Sequence, residues 1–159
     1  MRYDIAVVGL GAMGSACAYA LAKRGVSVIA FDQFAPPHTF GSTHGHTRII
    51  REAYYEHPLY VPLVRRAYEL WADLERESET KLLLTTGGLM VGPERGPLVG
   101  GAATSARTHD IAIEMLDATA LARRFPAYQA RPDWVGLLEH RAGMLFAEKC
   151  VEAFLTLAG

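Results

Sequence analysis

The sequence predicts a mixed α/β fold that opens with a strand–helix–strand unit. Three observations predict it: a glycine pattern lies between two apolar runs, small residues follow the glycines, and an acid ends the second run. In order, these are the apolar run 5–8, Gly9, Gly11 and Gly14, the small residues 15–22, the apolar run 26–31, and Asp32. This order is typical of Rossmann-like dinucleotide-binding units. The glycines alone would also fit a turn that binds nothing.

Each part of this unit has a physical role in binding a dinucleotide. Gly9 allows the tight turn, and Gly11 lets a pyrophosphate approach the backbone. Gly14 lets the helix pack close to the strand, and the N–H groups of the helix N-terminus attract phosphates. Asp32 can accept hydrogen bonds from a ribose hydroxyl. We therefore expect these four residues to bind a nucleotide cofactor.

The later elements follow from apolar periodicity, glycines and caps. We expect strands at 3–8, 26–31, 82–84, 89–91, 113–116, 135–139 and 144–146, and helices at 12–24, 59–77, 97–109, 118–124 and 148–158. The helix at 59–77 carries apolar residues at spacings of three and four, with Arg65 and Arg66 expected on its solvated edge. Asp117 is placed to cap the helix at 118–124. The segment 33–47 has no regular pattern, which is typical of a functional loop or of disorder.

A doubly wound nucleotide domain needs more parallel strands beside the first two, and no further strand–helix unit follows here. We therefore expect an incomplete fold, the N-terminal part of a longer protein. Residues 1–58 would form the dinucleotide-binding unit with its cofactor loop. Residues 59–159 would supply a helix and short strands from the rest of that domain and the start of a substrate domain.

Bulk properties exclude several classes of function. The chain has 159 residues, of which 50% are hydrophobic, and a formal net charge of −1, which argues against binding to nucleic acid or an anionic membrane surface. No apolar stretch is long enough to span a membrane, and the first strand leaves no room for a signal peptide, so we expect a cytoplasmic protein. Cys17 and Cys150 have no metal-binding spacing, and Cys17 is expected in the core.

The block from Gly41 to Arg51 is rich in hydrogen-bond donors and positive charge. The hydroxyls of Ser42 and Thr43 suit phosphate oxygens. Arg48 and Arg51 could each hold a carboxylate through two parallel hydrogen bonds, which would select an acidic substrate. Alternatively, both arginines are surface residues that pair with Asp or Glu.

His44 and His46 form a His-x-His pair in the same block. No carboxylate or cysteine stands near them at metal-ligand spacing, so we expect no metal site. A second interpretation is that His44 or Arg48 faces a redox cofactor and tunes its charge.

With these residues in view, the chain resembles the N-terminal part of the monomeric sarcosine oxidase and N-methyltryptophan oxidase family, flavoenzymes of the D-amino-acid-oxidase-like group. The resemblance runs nearly end to end, and the stretch from Pro36 to Arg51 is its most specific part. The matching segments are the glycine pattern, Phe31-Asp32, Pro36-Pro37-His38, 41–51, Tyr60-Val61-Pro62, Leu70-Trp71, Gly87, Gly143-Met144-Leu145-Phe146 and Cys150.

The resemblance implies that FAD oxidises a secondary or N-methyl amino acid and that O₂ reoxidises the flavin, giving H₂O₂. It implies that His44 and Arg48 are catalytic residues near the flavin ring, where positive charge stabilises the reduced flavin, and that Arg51 binds the substrate carboxylate. The FAD-binding residues it implies are Gly9, Gly11, Met13, Gly14, Asp32, Gln33, Ser42, Thr43 and Arg48.

The chain departs from the family pattern in places. Members often carry His where Thr43 stands and Asp where His46 stands. Neither Cys17 nor Cys150 matches the flavin-linking cysteine, which would lie outside this chain together with two lysines of the site, so the chain alone is expected to be inactive. Two other interpretations stay open: a nicotinamide-dependent dehydrogenase, and a non-catalytic truncated chain.

Overall fold

The computed structural model describes residues 2–129 and 131–159, and helices alternate with strands along them. The helices are α1 (Ala12–Ala22), α2 (Tyr60–Ser78), α3 (Pro97–His109), α4 (Ala118–Arg124) and α5 (Ala147–Ala158). The strands are β1 (Ile5–Val8), β2 (Val28–Phe31), β3 (Arg48–Ile50), β4 (Leu83–Thr85), β5 (Gly88–Pro93), β6 (Ile113–Leu116), β7 (Trp134–Glu139) and β8 (Gly143–Leu145). This mixture confirms the predicted α/β class, and β3 is the strand that the sequence analysis did not predict.

The chain forms two compact units, each assembled from separate stretches. The first unit comprises Met1–Arg48, Leu70–Leu84 and Met144–Gly159, and the second comprises Ile49–Glu69 and Thr85–Gly143. The predicted division into 1–58 and 59–159 concerned a cofactor domain and a substrate domain, and it stays a prediction.

The first unit contains the predicted strand–helix–strand arrangement. β1 and β2 are parallel, with Ile5 opposite Val28 and Val8 opposite Phe31. α1 joins them, as expected for a connection between parallel strands. Gly25, at φ +74°, follows the end of α1 in the left-handed conformation that favours glycine.

α1 packs against α5 through small buried side chains. Ser15 and Ala18 are buried on this face. Beside it, the ring of Phe154 lies 5.4 Å from that of Tyr19 and 5.5 Å from that of Trp71, measured between centroids. This packing fixes the helix whose N-terminus follows the glycine turn.

The prediction that Cys17 is a core residue is wrong, because its side chain is exposed. α1 has apolar or small residues on almost every side, so its sequence does not mark a buried face. The buried residues of α1, Ser15 and Ala18, are small, which allows α1 and α5 to approach closely. The thiol at position 17 lies on another side of the helix.

The second unit is built on an antiparallel sheet with strand order β5-β7-β6. Glu139, the last residue of β7, pairs with Gly88 of β5 and with Ile113 of β6. α3 and α4 pack against this sheet. The core residues are Ala53, Val61, Val99, Ala102, Ala106, Ile111 and Leu137, with a second cluster of Leu116, Leu121 and Leu138.

α4 has the predicted bounds and the predicted cap. The side chain of Asp117 accepts a hydrogen bond of 2.7 Å from the N–H of Ala120. A Cβ added to Gly136 would lie 2.6 Å from a methyl group of Leu121. The helix therefore sits close on β7 because the strand has no side chain at that position.

A third sheet has strand order β3-β8-β4. β7 and β8 are consecutive strands joined by a turn, as predicted, but they belong to different sheets.

Candidate functional site

The glycine turn has the geometry that the sequence predicts. Gly9 has φ +90°, a conformation that favours glycine, and its N–H donates to the carbonyl of Phe31 at 2.8 Å. A Cβ added to Gly14 would overlap the carbonyl oxygen of Gly9. The absence of a side chain at position 14 therefore allows α1 to start directly against the end of β1.

The N-terminus of α1 faces the block that the sequence analysis singled out. The hydroxyl oxygen of Thr43 accepts a hydrogen bond of 3.2 Å from the N–H of Ala12. A Cβ added to Gly11 would lie 3.4 Å from the same oxygen. The first-turn N–H groups of a helix have no acceptor within the helix, so this end of α1 can also receive a phosphate.

Asp32 links the glycine turn to the loop that follows β2. One carboxylate oxygen accepts the N–H of Leu10 at 2.6 Å, and the other accepts the N–H of Phe34 and a ring nitrogen of His38, both at 3.1 Å. The hydrogen bonds from Leu10 and then Phe34 lower the pKa of Asp32, so it is an anion at neutral pH. A carboxylate has about four acceptor positions, and these three hydrogen bonds occupy three of them. One position therefore remains for a ribose hydroxyl.

These groups line one cleft of about 210 Å³ within the first unit. Its lining residues are Gly9, Leu10, Gly11, Asp32, Pro36, Pro37, His38, Gly41, Ser42, Thr43 and Val151. The cleft thus brings together five of the predicted cofactor residues, from three separate parts of the sequence.

Four other predicted cofactor residues, Met13, Gly14, Gln33 and Arg48, also belong to the first unit but do not line this cleft. Met13 lies in the first turn of α1 with 86% of its surface exposed. Gly14 packs against Gly9, and Gln33 is exposed directly after Asp32. For Met13 and Gly14, the backbone rather than the side chain is therefore the group available to a phosphate.

Arg48 donates hydrogen bonds to the backbone of the loop that carries His44. Its guanidinium donates to the carbonyls of Ser42 at 2.9 Å, His44 at 2.8 Å and Thr47 at 2.8 Å. Among the ion pairs of residues 2–129 and 131–159, none involves Arg48. The loop therefore holds a positive charge in place with backbone carbonyls instead of a carboxylate.

The same loop is also held by the start of α5. The carboxylate of Glu148 accepts the N–H of Gly45 at 2.9 Å, and the carbonyl of His46 accepts the N–H of Ala147 at 3.2 Å. The backbone on both sides of this short turn is therefore fixed by residues about one hundred positions later in the sequence.

Arg51, the predicted substrate-binding residue, belongs to the second unit. One terminal nitrogen lies 3.1 Å from both carboxylate oxygens of Glu56. The guanidinium carbon lies 4.6 Å from the ring centroid of Tyr54 and 5.1 Å from that of Tyr55. The alternative interpretation was that Arg51 is a surface residue paired with Asp or Glu. The ion pair with Glu56 agrees with it, but only 23% of the Arg51 side chain is exposed.

The Nε of Arg51 is buried and lacks a hydrogen-bond partner among the described residues. A buried N–H donor of a charged group is costly to leave unsatisfied. Arg51 therefore has one N–H donor that its contacts with Glu56, Tyr54 and Tyr55 do not use.

A buried ionic network in the second unit was missed from the sequence. Glu139 accepts backbone N–H groups through both carboxylate oxygens, and buried Glu52 pairs with Arg65 and with Arg141. Arg66, with 61% of its side chain exposed, lies on the predicted solvated helix edge, whereas Arg65, 42% exposed, directs its Nε to the buried carboxylate of Glu52. An acid at the end of the apolar run of β7 was the available signal.

The structure shows no helix among the described residues that is long and apolar enough to cross a membrane.

Known proteins match this chain over nearly its whole length. The model of a family described as FAD dependent oxidoreductase matches residues 4–158. Monomeric sarcosine oxidase of Streptomyces avermitilis is 44% identical over 156 residues, which cover 98% of this chain and 41% of that protein. N-methyl-L-tryptophan oxidase of Citrobacter koseri is 37% identical over 158 residues, covering 99% and 42%. The chain thus spans about 40% of the length of the curated relatives it matches.

Solved structures of amino acid oxidases also superpose on nearly the whole of this chain. NikD, described as an unusual amino acid oxidase essential for nikkomycin biosynthesis, superposes with a TM-score of 0.85 at 29% identity over 98% of this chain and 40% of its own. Glycine oxidase of Geobacillus kaustophilus, at 20% identity and a TM-score of 0.76, shows the same fold. The predicted resemblance to sarcosine oxidase and N-methyltryptophan oxidase is confirmed. The predicted cofactor, FAD, is confirmed as the cofactor of the matching family. The chain belongs to the FAD-dependent oxidoreductase family.

Proposed function

We propose that the whole protein, meaning this chain with any sequence that accompanies it, oxidises the C–N bond of a secondary or N-methyl amino acid of the sarcosine or N-methyltryptophan type. Two electrons and two protons leave the amine and reach O₂, giving an imine and H₂O₂. FAD, when bound, carries these electrons from the amine to O₂.

The observation that carries this proposal is the hydrogen bond from the N–H of Ala12 to Thr43. It brings the Gly41–Arg48 loop to the N-terminus of α1, where a dinucleotide phosphate would bind. A cofactor bound there would lie beside a loop that holds a positive charge. In a nicotinamide-binding domain, another strand–helix unit would follow β2 instead of such a loop.

The residues of the first unit fit the adenosine and pyrophosphate parts of FAD. Backbone N–H groups at Gly11, Met13 and Gly14 would receive the phosphates, because this end of α1 carries a partial positive charge. The free acceptor position of Asp32 would take a ribose hydroxyl. We propose that Gln33, Ser42 and Thr43 complete this part of the site along the loops.

We propose that Arg48 and His44 act on the redox end of the cofactor. Arg48 is already held by three carbonyls, so its charge needs no rearrangement to stabilise negative charge that develops on the flavin. The hydrogen bond from Arg48 to the His44 carbonyl fixes the backbone of the histidine. The pair would therefore act as a preorganised electrostatic element.

We propose that Arg51 binds the substrate carboxylate. Its ion pair with Glu56, in which the guanidinium donates to a carboxylate, supports this role, and its buried Nε is a further N–H donor. Two N–H groups in parallel would grip a carboxylate more strongly than the single nitrogen that contacts Glu56. A substrate acid would then replace Glu56 as the partner.

We further propose that the 159-residue chain alone has no oxidase activity and that the protein is cytoplasmic without nucleic-acid or membrane partners. The relatives are more than twice as long, which supports the first proposal. The near-zero net charge supports the second, since polyanions bind basic surfaces.

The test is to purify the whole protein and identify its cofactor and its product. Under anaerobic conditions, sarcosine or N-methyltryptophan should bleach the bound flavin, and aerobic turnover should yield one H₂O₂ per amine. A colourless protein that binds NAD(P)H, or a flavoprotein that neither amine bleaches, would contradict the proposal. The 159-residue chain, assayed in parallel, should produce no H₂O₂.

A further inference from the structure

The carboxylate of Glu139 holds the backbone immediately after Arg51. Glu139 is 0% exposed at the end of β7. One of its oxygens accepts the N–H of Glu52 at 2.7 Å, and the other accepts the N–H of Ala53 at 2.8 Å. Two consecutive peptide groups bound by one carboxylate cannot rotate independently, so the backbone leaving Arg51 has a fixed direction.

A second buried acid keeps this arrangement in place. The side chain of Glu52, 3% exposed, pairs with Arg65 and with Arg141, the latter at 3.1 Å. The two arginine side chains stay 42% and 55% exposed, and ion pairs with solvent-exposed partners add little net stability, so these pairs are weak evidence for a purely stabilising role. Here the ionic groups converge on one short segment, and what they determine is its position.

The aromatic neighbours of Arg51 are fixed by α3. Ser105 donates a hydrogen bond to the carbonyl of Tyr54. A Cβ added to Gly101 would overlap the carbonyl oxygen of Tyr55. The backbone of the two tyrosines beside the Arg51 guanidinium is thus held by α3, and Glu139 holds the part of the segment that is adjacent to Arg51 itself.

We propose that Glu139 is a positioning residue, which aims the Arg51 guanidinium at the substrate carboxylate. The proposal rests on the proposed role of Arg51. A guanidinium discriminates a carboxylate from a neutral group most strongly when two of its N–H groups are aligned with both oxygens. Glu139 provides that alignment through the backbone, without contacting the substrate.

The experiment compares the whole protein with its Glu139→Gln variant. The amide of Gln retains one acceptor and places its NH₂ group against the second backbone N–H. The probes are methoxyacetate and methoxyacetamide, ether analogues of sarcosine and its amide that carry no amine to oxidise. Their dissociation constants are measured by calorimetry and by the absorbance change of bound flavin.

We expect the preference for methoxyacetate over methoxyacetamide to fall by about tenfold or more in Glu139→Gln, because a misplacement of about 1 Å costs up to about 100-fold. The matched control is Glu114→Gln, which makes the same change in the same sheet at an exposed ion pair with Arg124. This control should keep the preference within twofold.

Two further variants, Arg51→Ala alone and Arg51→Ala combined with Glu139→Gln, test whether Glu139 acts through Arg51 or only through the stability of the fold. Arg51→Ala should abolish the preference, and adding Glu139→Gln to it should cause no further loss of preference. If Glu139→Gln weakens both probes equally, or leaves the preference within twofold, the positioning role is refuted. If Arg51→Ala keeps the preference, the proposed role of Arg51 fails first.

Glu139→Asp provides the same comparison if the Gln variant does not fold. It keeps the charge but is one methylene too short to reach both N–H groups at once. It should lose part of the preference, and an unchanged preference would overturn the proposal.

Discussion

Replacing Gly14 with Ala should damage both the fold of the first unit and its cofactor site. A Cβ at position 14 would overlap the carbonyl oxygen of Gly9 and lie 2.8 Å from its carbonyl carbon, whereas ordinary contact begins at 3.4 Å. Both partners are backbone groups, so no side-chain rotation can relieve the overlap. α1 or the glycine turn must move.

The size of the effect follows from this geometry. Relief requires a backbone shift on the order of 1 Å, and overpacking of this kind costs about 1–3 kcal/mol of unfolding free energy. The same shift displaces the first-turn N–H groups of α1 from the phosphates. We expect the dissociation constant of FAD to rise by about tenfold or more.

The assay measures two quantities on the whole protein: denaturant unfolding of the apoprotein and FAD binding by flavin fluorescence. Gly11→Ala is the matched control, because its Cβ would lie 3.4 Å from the Thr43 hydroxyl and meet no backbone. That variant should bind FAD more weakly, since the pyrophosphate loses its close approach, but should unfold like wild type. A Gly14→Ala apoprotein of wild-type stability would refute the reasoning.

Three further changes test other parts of the site. Arg51→Ala should raise the KM for the acid substrate by about tenfold or more, since a hydrogen bond to a charged group contributes about 1.5–3 kcal/mol; steady-state kinetics would show an unchanged KM if the assignment is wrong. Asp32→Asn should weaken FAD retention on dialysis. Because the folded pKa of Asp32 is lowered, its contribution to stability is present above its unfolded pKa of about 3.9 and is lost as the pH falls through the folded pKa. Acid unfolding of wild type should therefore be steeper than that of the Asn variant, and identical curves would contradict this. Arg48→Lys keeps the charge but has one donor nitrogen where the guanidinium uses two, so the loop should be held less firmly and kcat should fall more than KM rises; the reverse pattern would count against an electrostatic role.

Local signals in the sequence were sufficient for several elements. α4 was predicted with its bounds because Asp117 is a good cap before a helix-forming run, and β6 was predicted from a short apolar stretch. The glycine turn was predicted together with its acid because each residue there has a backbone or hydrogen-bonding requirement that few other residues meet.

Features that depend on distant pairing could not be predicted in this way. β7 and β8 follow each other across a turn, yet they pair with different strands, because pairing is decided by the whole sheet. The acid of Glu139 is satisfied by N–H groups 86 and 87 residues earlier. The apolar run before Glu139 was a signal for its burial that went unused, and its partners could not be read from the sequence.

The hydrogen bond between Gly45 and Glu148 spans 103 positions. The ribosome adds residues from the N-terminus at about 5–20 per second, so several seconds separate the synthesis of these two partners. During that interval the loop that carries His44 lacks one of its restraints, even though the glycine turn and β2 have already emerged. A nascent chain could therefore hold the adenosine end of FAD before it can order the loop proposed for the flavin end.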